Sequence, residues 1–295
     1  MLYLIGSIVL TSYLTLCFKV VQKYHIEPFQ AIIFNHFSCV VTGSFVNGQF
    51  PINAATFHEP WFKYALLMGA MFISILNLVG FTTQRIGVAV ASVANKLSLV
   101  IPFIFSVYLY NEKITAFKIA GIVIALIAVV LTSLPAKSNP SETKSKKLSP
   151  LLLIIVPAVL FFSSGLLDTL IKYVEQNFIN QTNGNAYLIT AFSIAGTIGT
   201  ILLIILLLTG KQKFSYKSII AGICIGVPNY FSLWCLVKVL KANAGNSSAI
   251  IPINNMGIVL FSSIMAWILF KEKLSAINWL GIILSLGAIA LIAYA

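Results

Sequence analysis

Long apolar runs follow one another along the whole chain, separated by short polar connections. Most have the length of about 20 residues that a helix needs to cross the hydrocarbon core of a bilayer. The runs are continuous rather than alternating, which favours helices over the strands of a membrane barrel. The pattern therefore predicts an all-α membrane protein with ten transmembrane helices, near residues 2–22, 29–47, 61–83, 87–110, 116–134, 151–174, 185–209, 216–240, 247–270 and 275–295.

The composition excludes a soluble protein of this size. The 295 residues include 19 basic and 7 acidic ones, so that charged residues make up 9% of the chain, against about 25% in soluble domains. Hydrophobic residues make up 59% and the mean hydropathy is +0.97, which rules out a soluble enzyme and a disordered chain. The net charge of +12 comes from residues scattered at the ends of the runs. This indicates contact with anionic membrane lipid rather than with nucleic acid.

One polar, basic stretch divides the runs into two groups of five. Residues 135–149 (PAKSNPSETKSKKLS) contain two prolines and four lysines, a composition typical of a linker. We therefore predict a first five-helix unit over residues 1–134 and a second over residues 150–295. Lysines are more frequent after odd-numbered runs, so the positive-inside rule places the linker in the cytoplasm and both termini outside.

The two units resemble each other in sequence. A shift of 160 residues aligns Ala94–Leu131 with Asn254–Leu291, with 11 identities in 38 positions. A shift of 153 residues gives a weaker match, which includes Lys19 with Lys172. Because five is an odd number, consecutive copies must cross the membrane in opposite directions, and such inverted repeats hold a substrate near the bilayer midplane. Apolar composition alone does not explain the matches of Asn95 with Asn255, Glu112-Lys113 with Glu272-Lys273, and Gly121 with Gly281.

Residues 77–131 and 228–293 each read as a helix, a tight turn, a second helix ending in Glu-Lys and a third helix that opens near a glycine. This arrangement resembles the EamA module of the drug/metabolite transporter superfamily, duplicated over nearly the whole chain. The resemblance implies a ten-helix exporter or importer of metabolites in a bacterial inner membrane, and it says almost nothing about the solute. Members of the family commonly carry an arginine in the second helix, where this chain has Asn35-His36.

Lys96 is the most informative single residue of the sequence. It lies nine residues into the run that begins near Gly87, about 14 Å deep in a hydrocarbon core of about 30 Å. A cation at that depth is costly, so it should face a cavity or a partner. The functional interpretation is attraction of an anionic group on a solute, and the alternative is a structural lysine paired with a carboxylate or a carbonyl.

Asp168 is the carboxylate that lies within an apolar run. We consider it a candidate for proton exchange during transport, because intramembrane carboxylates often form proton relays. The alternative is an i, i+4 partner of Lys172, with both side chains reaching towards the interface. A third possibility pairs Asp168 with Lys96 across a cavity.

Amides recur at membrane depth and are candidates for binding a solute by hydrogen bonds. The alternative role is interhelical hydrogen bonding, worth about 0.6 kcal/mol for each bond. Trp234 is interpreted either as an aromatic wall for an apolar part of the solute or as a packing residue. His36 is interpreted either as a group that titrates near neutral pH or as a buried histidine that is only hydrogen-bonded. The substrate-binding candidates beside Lys96 are Asn35, His36, Asn77, Asn95, Asn229, Trp234, Asn254 and Asn255.

Motifs of other function classes are missing from the sequence. It has no phosphate-binding loop of the GxxxxGK[ST] type, no HExxH and no CxxC, so we expect no metal, cofactor or catalytic residue. Two hypotheses remain. The first is a secondary transporter for a small metabolite, acting as a monomer or homodimer with lipid and solute as its partners. The second is an integral-membrane scaffold or accessory protein without transport activity.

Overall fold

The computed structural model describes residues 2–102, 104–105, 115–134, 149–178, 183–242, 247–272 and 274–294. These residues contain α-helices, one short 3₁₀-helix (Ala54–His58) and no strand. Most of the linker, residues 135–148, and Glu112-Lys113 lie outside the described residues. The helices are α1 (Leu2–Lys23), α2 (Pro28–Asn47), α3 (Phe62–Arg85), α4 (Val88–Leu97), α5 (Ala116–Ser133), α6 (Pro150–Phe178), α7 (Gly184–Leu208), α8 (Tyr216–Ala242), α9 (Ser247–Phe270) and α10 (Ala276–Tyr294).

Seven of these helices contain apolar segments long enough to cross a membrane, namely α1, α2, α3, α6, α7, α8 and α9. The remaining ones contribute shorter apolar segments, Val88–Pro102, Ile119–Thr132 and Ala276–Leu291. Large apolar side chains such as Ile201 and Ile205 of α7 are about half exposed on the outer surface, as expected of a surface that faces lipid. The chain is therefore an all-α, multi-pass membrane protein.

Local sequence signals explain where several helices begin and end. Pro28 stands in the first turn of α2, where its missing N–H costs no hydrogen bond. Gly48 ends α2 in the left-handed conformation, with a φ of 77°. Ser275 precedes α10 and exchanges hydrogen bonds with Asn278, so that each side chain caps the other's backbone. Asn278 Nδ2 also lies within 3.1 Å of three carbonyl oxygens at the end of α5, those of residues 131, 132 and 134.

The fourth apolar run is not one continuous helix as the sequence pattern predicted. α4 ends at Leu97, and Ser98 and Leu99 form a turn before helical backbone resumes at residue 100. Pro102 explains the break, because it has no N–H to donate to the carbonyl four residues earlier. That carbonyl, of Ser98, accepts instead from the N–H of Ile101 at 2.9 Å. The break therefore lies close to Lys96.

Three helix pairs bring together equivalent helices of the two predicted units: α5 with α10, α2 with α7, and α4 with α9. Contacts at their ends give their directions. Asn47, at the end of α2, accepts a hydrogen bond of 2.8 Å from Asn185, near the start of α7. The N–H of Val88, at the start of α4, donates to Glu272, just after α9. α10 begins where α5 ends, as the bonds of Asn278 require. Each pair therefore runs antiparallel.

Four further helix contacts correspond in two pairs between the predicted units. α2 packs on α8 as α3 packs on α7, and α1 packs on α9 as α4 packs on α6. Glycines allow the close crossings. A Cβ on Gly69 would lie 2.9 Å from the carbonyl oxygen of Ala191, and a Cβ on Gly222 would lie 2.8 Å from that of Ala31. Gly69 and Gly222 are 153 residues apart, the weaker of the two shifts seen in the sequence.

Candidate functional site

Lys96 lies in the last turn of α4, a helix enclosed by its neighbours. α4 contacts α1, α3, α5, α6, α9 and α10, and its residues 88–94 are all buried. Lys96 and Asn95 are nevertheless half-buried. Because Ala89, Ser92 and Val93 share the helical face of Lys96 and are buried, the open space beside Lys96 lies among the helices rather than in lipid.

Asp168 borders open space from the inner face of α6. The outward face of α6 carries exposed apolar side chains such as Phe162 and Leu166. The residues that precede Asp168 on its own face, Phe161 and Ser164, are each only 3% exposed. The side chain of Asp168 is nevertheless exposed. It therefore faces an internal space and not the lipid.

Ser98, which is fully buried, connects the two charged residues. Its hydroxyl oxygen lies 3.4 Å from a carboxylate oxygen of Asp168 and close to the carbonyl oxygen of Asn95. No ion pair within 4 Å joins Lys96 and Asp168. Among the described side chains, Lys19 and Glu272 form the one such pair. We call Lys96, Ser98 and Asp168 the central site: two opposite charges on different helices, held apart beside open space.

Lys96 and Asp168 form no ion pair with each other within 4 Å, and two buried polar atoms on the helices that surround α4 lack a hydrogen-bond partner. Ser164 Oγ, one turn before Asp168 on the same face of α6, is buried without a hydrogen-bond partner, and so is Asn254 Oδ1 on α9. Buried polar groups of this kind are uncommon in folded proteins, and each suggests an occupant such as water or a ligand. The side chain of Lys172, the alternative partner of Asp168, lies outside the described residues.

Two of the predicted amides form a second polar cluster between α2 and α8. Asn229 donates a hydrogen bond of 3.1 Å to Asn35 Oδ1, while Asn35 Nδ2 is buried without a partner. His36 is 1% exposed and its Nδ1 lies 2.7 Å from the carbonyl oxygen of Ile32 in its own helix. Cys39 donates to the carbonyl oxygen of Gly226 across the same helix contact. This cluster joins helices and is distinct from the central site.

The other predicted binding residues are spread over several helices. Asn77 is half-buried and donates to the carbonyl oxygen of Ile73 in its own helix, at 2.7 Å. Trp234 contacts Tyr3 edge to face at 5.7 Å, and the ammonium of Lys238 lies over its ring. Asn255 is half-buried on α9. The structure thus brings Asp168 to Ser98, two residues after Lys96, and Asn229 to Asn35, but it places Trp234 against α1 in an aromatic group.

Sequence reasoning missed the contact between α4 and α9. Ser262 donates a hydrogen bond of 2.8 Å to Ser92 Oγ, and both residues are buried. α4 and α9 run antiparallel, so residues after Ser92 lie beside residues before Ser262. Seven residues further along, residue 99 at the break and Asn255 lie at the same level.

Glu272, which follows α9, joins the start of α4 to α1. Both of its carboxylate oxygens accept from the N–H of Val88, at 3.0 and 3.2 Å, and one lies 3.3 Å from Lys19 Nζ. Gly87, with a φ of 152°, leaves room for the carboxylate at the start of α4. An acidic group at a helix N-terminus is favourable. We call Lys19, Gly87, Val88 and Glu272 the Glu272 junction.

Comparison with known proteins supports the fold but does not identify a function. No family model matches the chain. An uncharacterized protein of Haemophilus influenzae (strain Rd) is 26% identical over 298 residues, covering 99% of this chain and 97% of its own. A solved crystal structure superposes with a TM-score of 0.57 at 12% identity, covering 99% of this chain and 96% of the other. At that identity the likeness concerns the fold alone. Among the described residues, no three His, Cys, Asp or Glu side chains cluster as metal ligands would.

Proposed function

We propose that the protein is a secondary transporter, of the EamA type in the drug/metabolite transporter superfamily, in a bacterial inner membrane. In this proposal the ten helices cross the membrane as two inverted five-helix repeats, which alternate in exposing a small amphipathic or anionic solute to either side. Lys96 binds the anionic group, the amides orient the solute, and Asp168 is the candidate for proton coupling. The observation that carries the proposal is the central site, where Lys96 and Asp168 border internal space without direct pairing.

The packing supports the repeat part of the proposal. Antiparallel contacts between α2 and α7, α4 and α9, and α5 and α10 are those expected between inverted copies. The glycine pairs repeat at the same spacing, since Gly43 faces Ile189 of α7 while Gly196, 153 residues later, faces Phe37 of α2. Both glycines therefore lie at the contact between α2 and α7, which are equivalent helices in the proposed repeats.

A non-transporting scaffold gives no reason for charged groups beside internal space. A charge in such a position costs free energy on insertion, and apolar residues would stabilise a purely structural helix bundle as well or better. A site that receives an ionic solute explains why the charges are present and why they are not in contact with each other. This difference separates the two hypotheses experimentally.

The test has two steps. Purified protein is first screened with metabolites by thermal shift, since a ligand that binds the folded state raises the melting temperature. The stabilising solutes are then used in counterflow with proteoliposomes, which needs no ion gradient. We expect exchange by the wild type and at least a tenfold loss in Lys96→Ala at equal expression. Lys63→Ala, which removes an exposed lysine beside Tyr64, serves as the matched control.

Three outcomes decide between the hypotheses. Loss of exchange in Lys96→Ala with normal exchange in Lys63→Ala supports the transporter and the role of Lys96. Full exchange in Lys96→Ala removes Lys96 from the site. No exchange of any solute by the wild-type protein, across the whole screen, favours the scaffold.

A further inference from the structure

We propose that a surface groove at the end of α9 binds one anionic phospholipid, with its phosphate on Lys271 and its upper acyl chains against Trp267 and Ile268. The groove has a volume of about 610 Å³ and is lined by Trp267, Ile268, Lys271, Glu272 and Leu274. We call these five residues the α9 groove. It lies at the opposite end of α4 from the central site, and the inference does not depend on the proposed transport function.

The turn after α9 sends two opposite charges in different directions. Lys271 has a φ of 52°, which is uncommon for a residue other than glycine. The N–H of Glu272 then donates to the carbonyl oxygen of Ala266 at 3.3 Å. The carboxylate of Glu272 turns inward to the start of α4, where its side chain is 13% accessible. Lys271 is exposed instead, so the groove presents its cation to the surroundings of the protein.

The charge around the α9 groove is positive. Glu272 is already paired with Lys19 within the Glu272 junction, whereas Lys271 forms no ion pair with any side chain that the structure describes. Two further exposed cations lie at this face, because Lys23 ends α1 one turn after Lys19 and Arg85 ends α3 two residues before the junction. Basic residues at a membrane surface favour anionic over neutral lipid. An anionic headgroup therefore complements this face.

The apolar side of the groove favours a lipid over a free phosphate. Trp267 and Ile268 are 56% and 55% exposed, at the end of a segment long and apolar enough to cross a membrane, Ile253–Phe270. Tryptophan is favoured at the depth of lipid headgroups, because its ring is apolar and its indole N–H donates a hydrogen bond. Lysine binds phosphate as a point charge. A phospholipid satisfies both sides of the groove at once, and a soluble phosphate satisfies only Lys271.

The experiment uses Trp267 as the probe. Trp61, Trp234 and Trp279 are replaced by phenylalanine in the full-length chain, and Trp61 loses no hydrogen bond because its buried indole N–H has no partner. The protein is reconstituted in phosphatidylcholine with a minor share of phosphatidylglycerol. Bromine on the acyl chains of one lipid or the other quenches a nearby tryptophan. We expect phosphatidylglycerol to bind beside Trp267 about fivefold more strongly than phosphatidylcholine, the factor that one lysine contributes at an anionic surface.

A matched pair of variants assigns this preference to one lysine. Lys271→Asn removes the charge and keeps a residue that tolerates the left-handed conformation, and the preference should fall to about one. Lys211→Asn is the control. Lys211 is exposed at the same membrane face, next to Gln212, which donates to Glu27 before the start of α2. We expect Lys211→Asn to keep the preference of its parent.

A second measurement keeps all native tryptophans. Purified wild-type protein and Lys271→Asn are melted in detergent with phosphatidylglycerol, phosphatidylcholine or glycerol 3-phosphate, since a ligand of the folded state raises the melting temperature. We expect phosphatidylglycerol to raise the melting temperature of the wild type more than that of Lys271→Asn. Phosphatidylcholine and glycerol 3-phosphate should raise neither. This comparison decides the question if the triple tryptophan variant does not fold.

Four outcomes overturn the site. They are equal quenching of Trp267 by both lipids, a preference that survives in Lys271→Asn, an equal loss of preference in Lys211→Asn, and stabilisation by glycerol 3-phosphate as large as that by phosphatidylglycerol. The third would show a diffuse positive surface, and the fourth a site for soluble phosphate. A preference that Lys271→Asn alone removes supports the site, whether or not the protein exchanges any solute.

Discussion

The two ends of α4 place charges in opposite situations. At its start, in the Glu272 junction, the carboxylate of Glu272 accepts from the N–H of Val88 at 3.0 and 3.2 Å and lies 3.3 Å from Lys19 Nζ. At its other end, in the central site, Lys96 and Asp168 have opposite charges but do not meet, and both border open space. A charge that is fully paired stabilises the fold, whereas charges held apart are available to a ligand. Neutralising each end should therefore have different consequences for stability and for transport.

The largest effect is expected at the central site. The double variant Lys96→Met/Asp168→Asn should lose at least 100-fold in counterflow, while its melting temperature stays equal to that of the wild type or rises. The physical reason is that removing two charges that form no ion pair with each other gives up little interaction, chiefly the 3.4 Å contact of Ser98 with Asp168, and avoids their desolvation. Exchange assays and thermal unfolding in detergent measure both. A fall in melting temperature as large as that of a Glu272 variant would show a structural pair instead.

The next effect tests the Glu272 junction. Glu272→Ala should lower the free energy of unfolding by about 2–3 kcal/mol, because the N–H of Val88 loses a charged acceptor and Lys19 loses its counter-ion. Thermal unfolding of the variant and of Glu59→Gln, an exposed control, provides the comparison. An unchanged melting temperature would mean that the junction contributes no stability, and the contrast between the two ends of α4 would disappear.

Gly87→Ala tests the backbone of the same junction. A φ of 152° is strained for any residue with a Cβ, and the new Cβ would also lie 3.4 Å from the carboxylate oxygens of Glu272. Strain of this kind costs about 1–3 kcal/mol. We expect a destabilisation of about 2 kcal/mol, with Gly210→Ala (φ of 67°, with open space around it) as the control for backbone strain alone. A Gly87→Ala variant as stable as the wild type would contradict the described start of α4.

The smallest effect is expected for Lys19→Met. The ion pair with Glu272 is partly exposed, with side chains 19% and 13% accessible, and such pairs contribute about 1 kcal/mol or less. Glu272 also keeps its bond to Val88. The melting temperature should therefore fall less than in Glu272→Ala. An equal fall in both variants would assign the strength of the junction to the ion pair rather than to the helix N-terminus.

The sequence predicted the all-helical, multi-pass character of the chain well, because membrane-spanning helices have a strong apolar signal. It also selected Lys96 and Asp168, since a charge within an apolar run is costly and therefore informative. Pro102 indicates an interruption within the fourth run, because it lacks a backbone N–H, but the sequence does not say that the interruption is a turn at Ser98.

Other contacts of the site depend on how the helices cross each other, and a local sequence pattern carries no information about that crossing. Glu272 follows α9 in sequence but acts on the start of α4, and Ser98 is next to the break of one helix while it contacts Asp168 of another. Asn35 and Asn229 are 194 residues apart and share a hydrogen bond. Such contacts follow from tertiary packing, so the sequence offered the residue types but not their partners.

Asn278 has a consequence for any large motion of the molecule. Its amide nitrogen ties the first turn of α10 to three carbonyl groups at the last turn of α5, and these two helices also share the most extensive contact surface of the described chain. Pulling them apart would leave several backbone carbonyl groups without their amide donor. We therefore expect the α5–α10 pair to keep its geometry as a rigid unit while other helices of the bundle move relative to it.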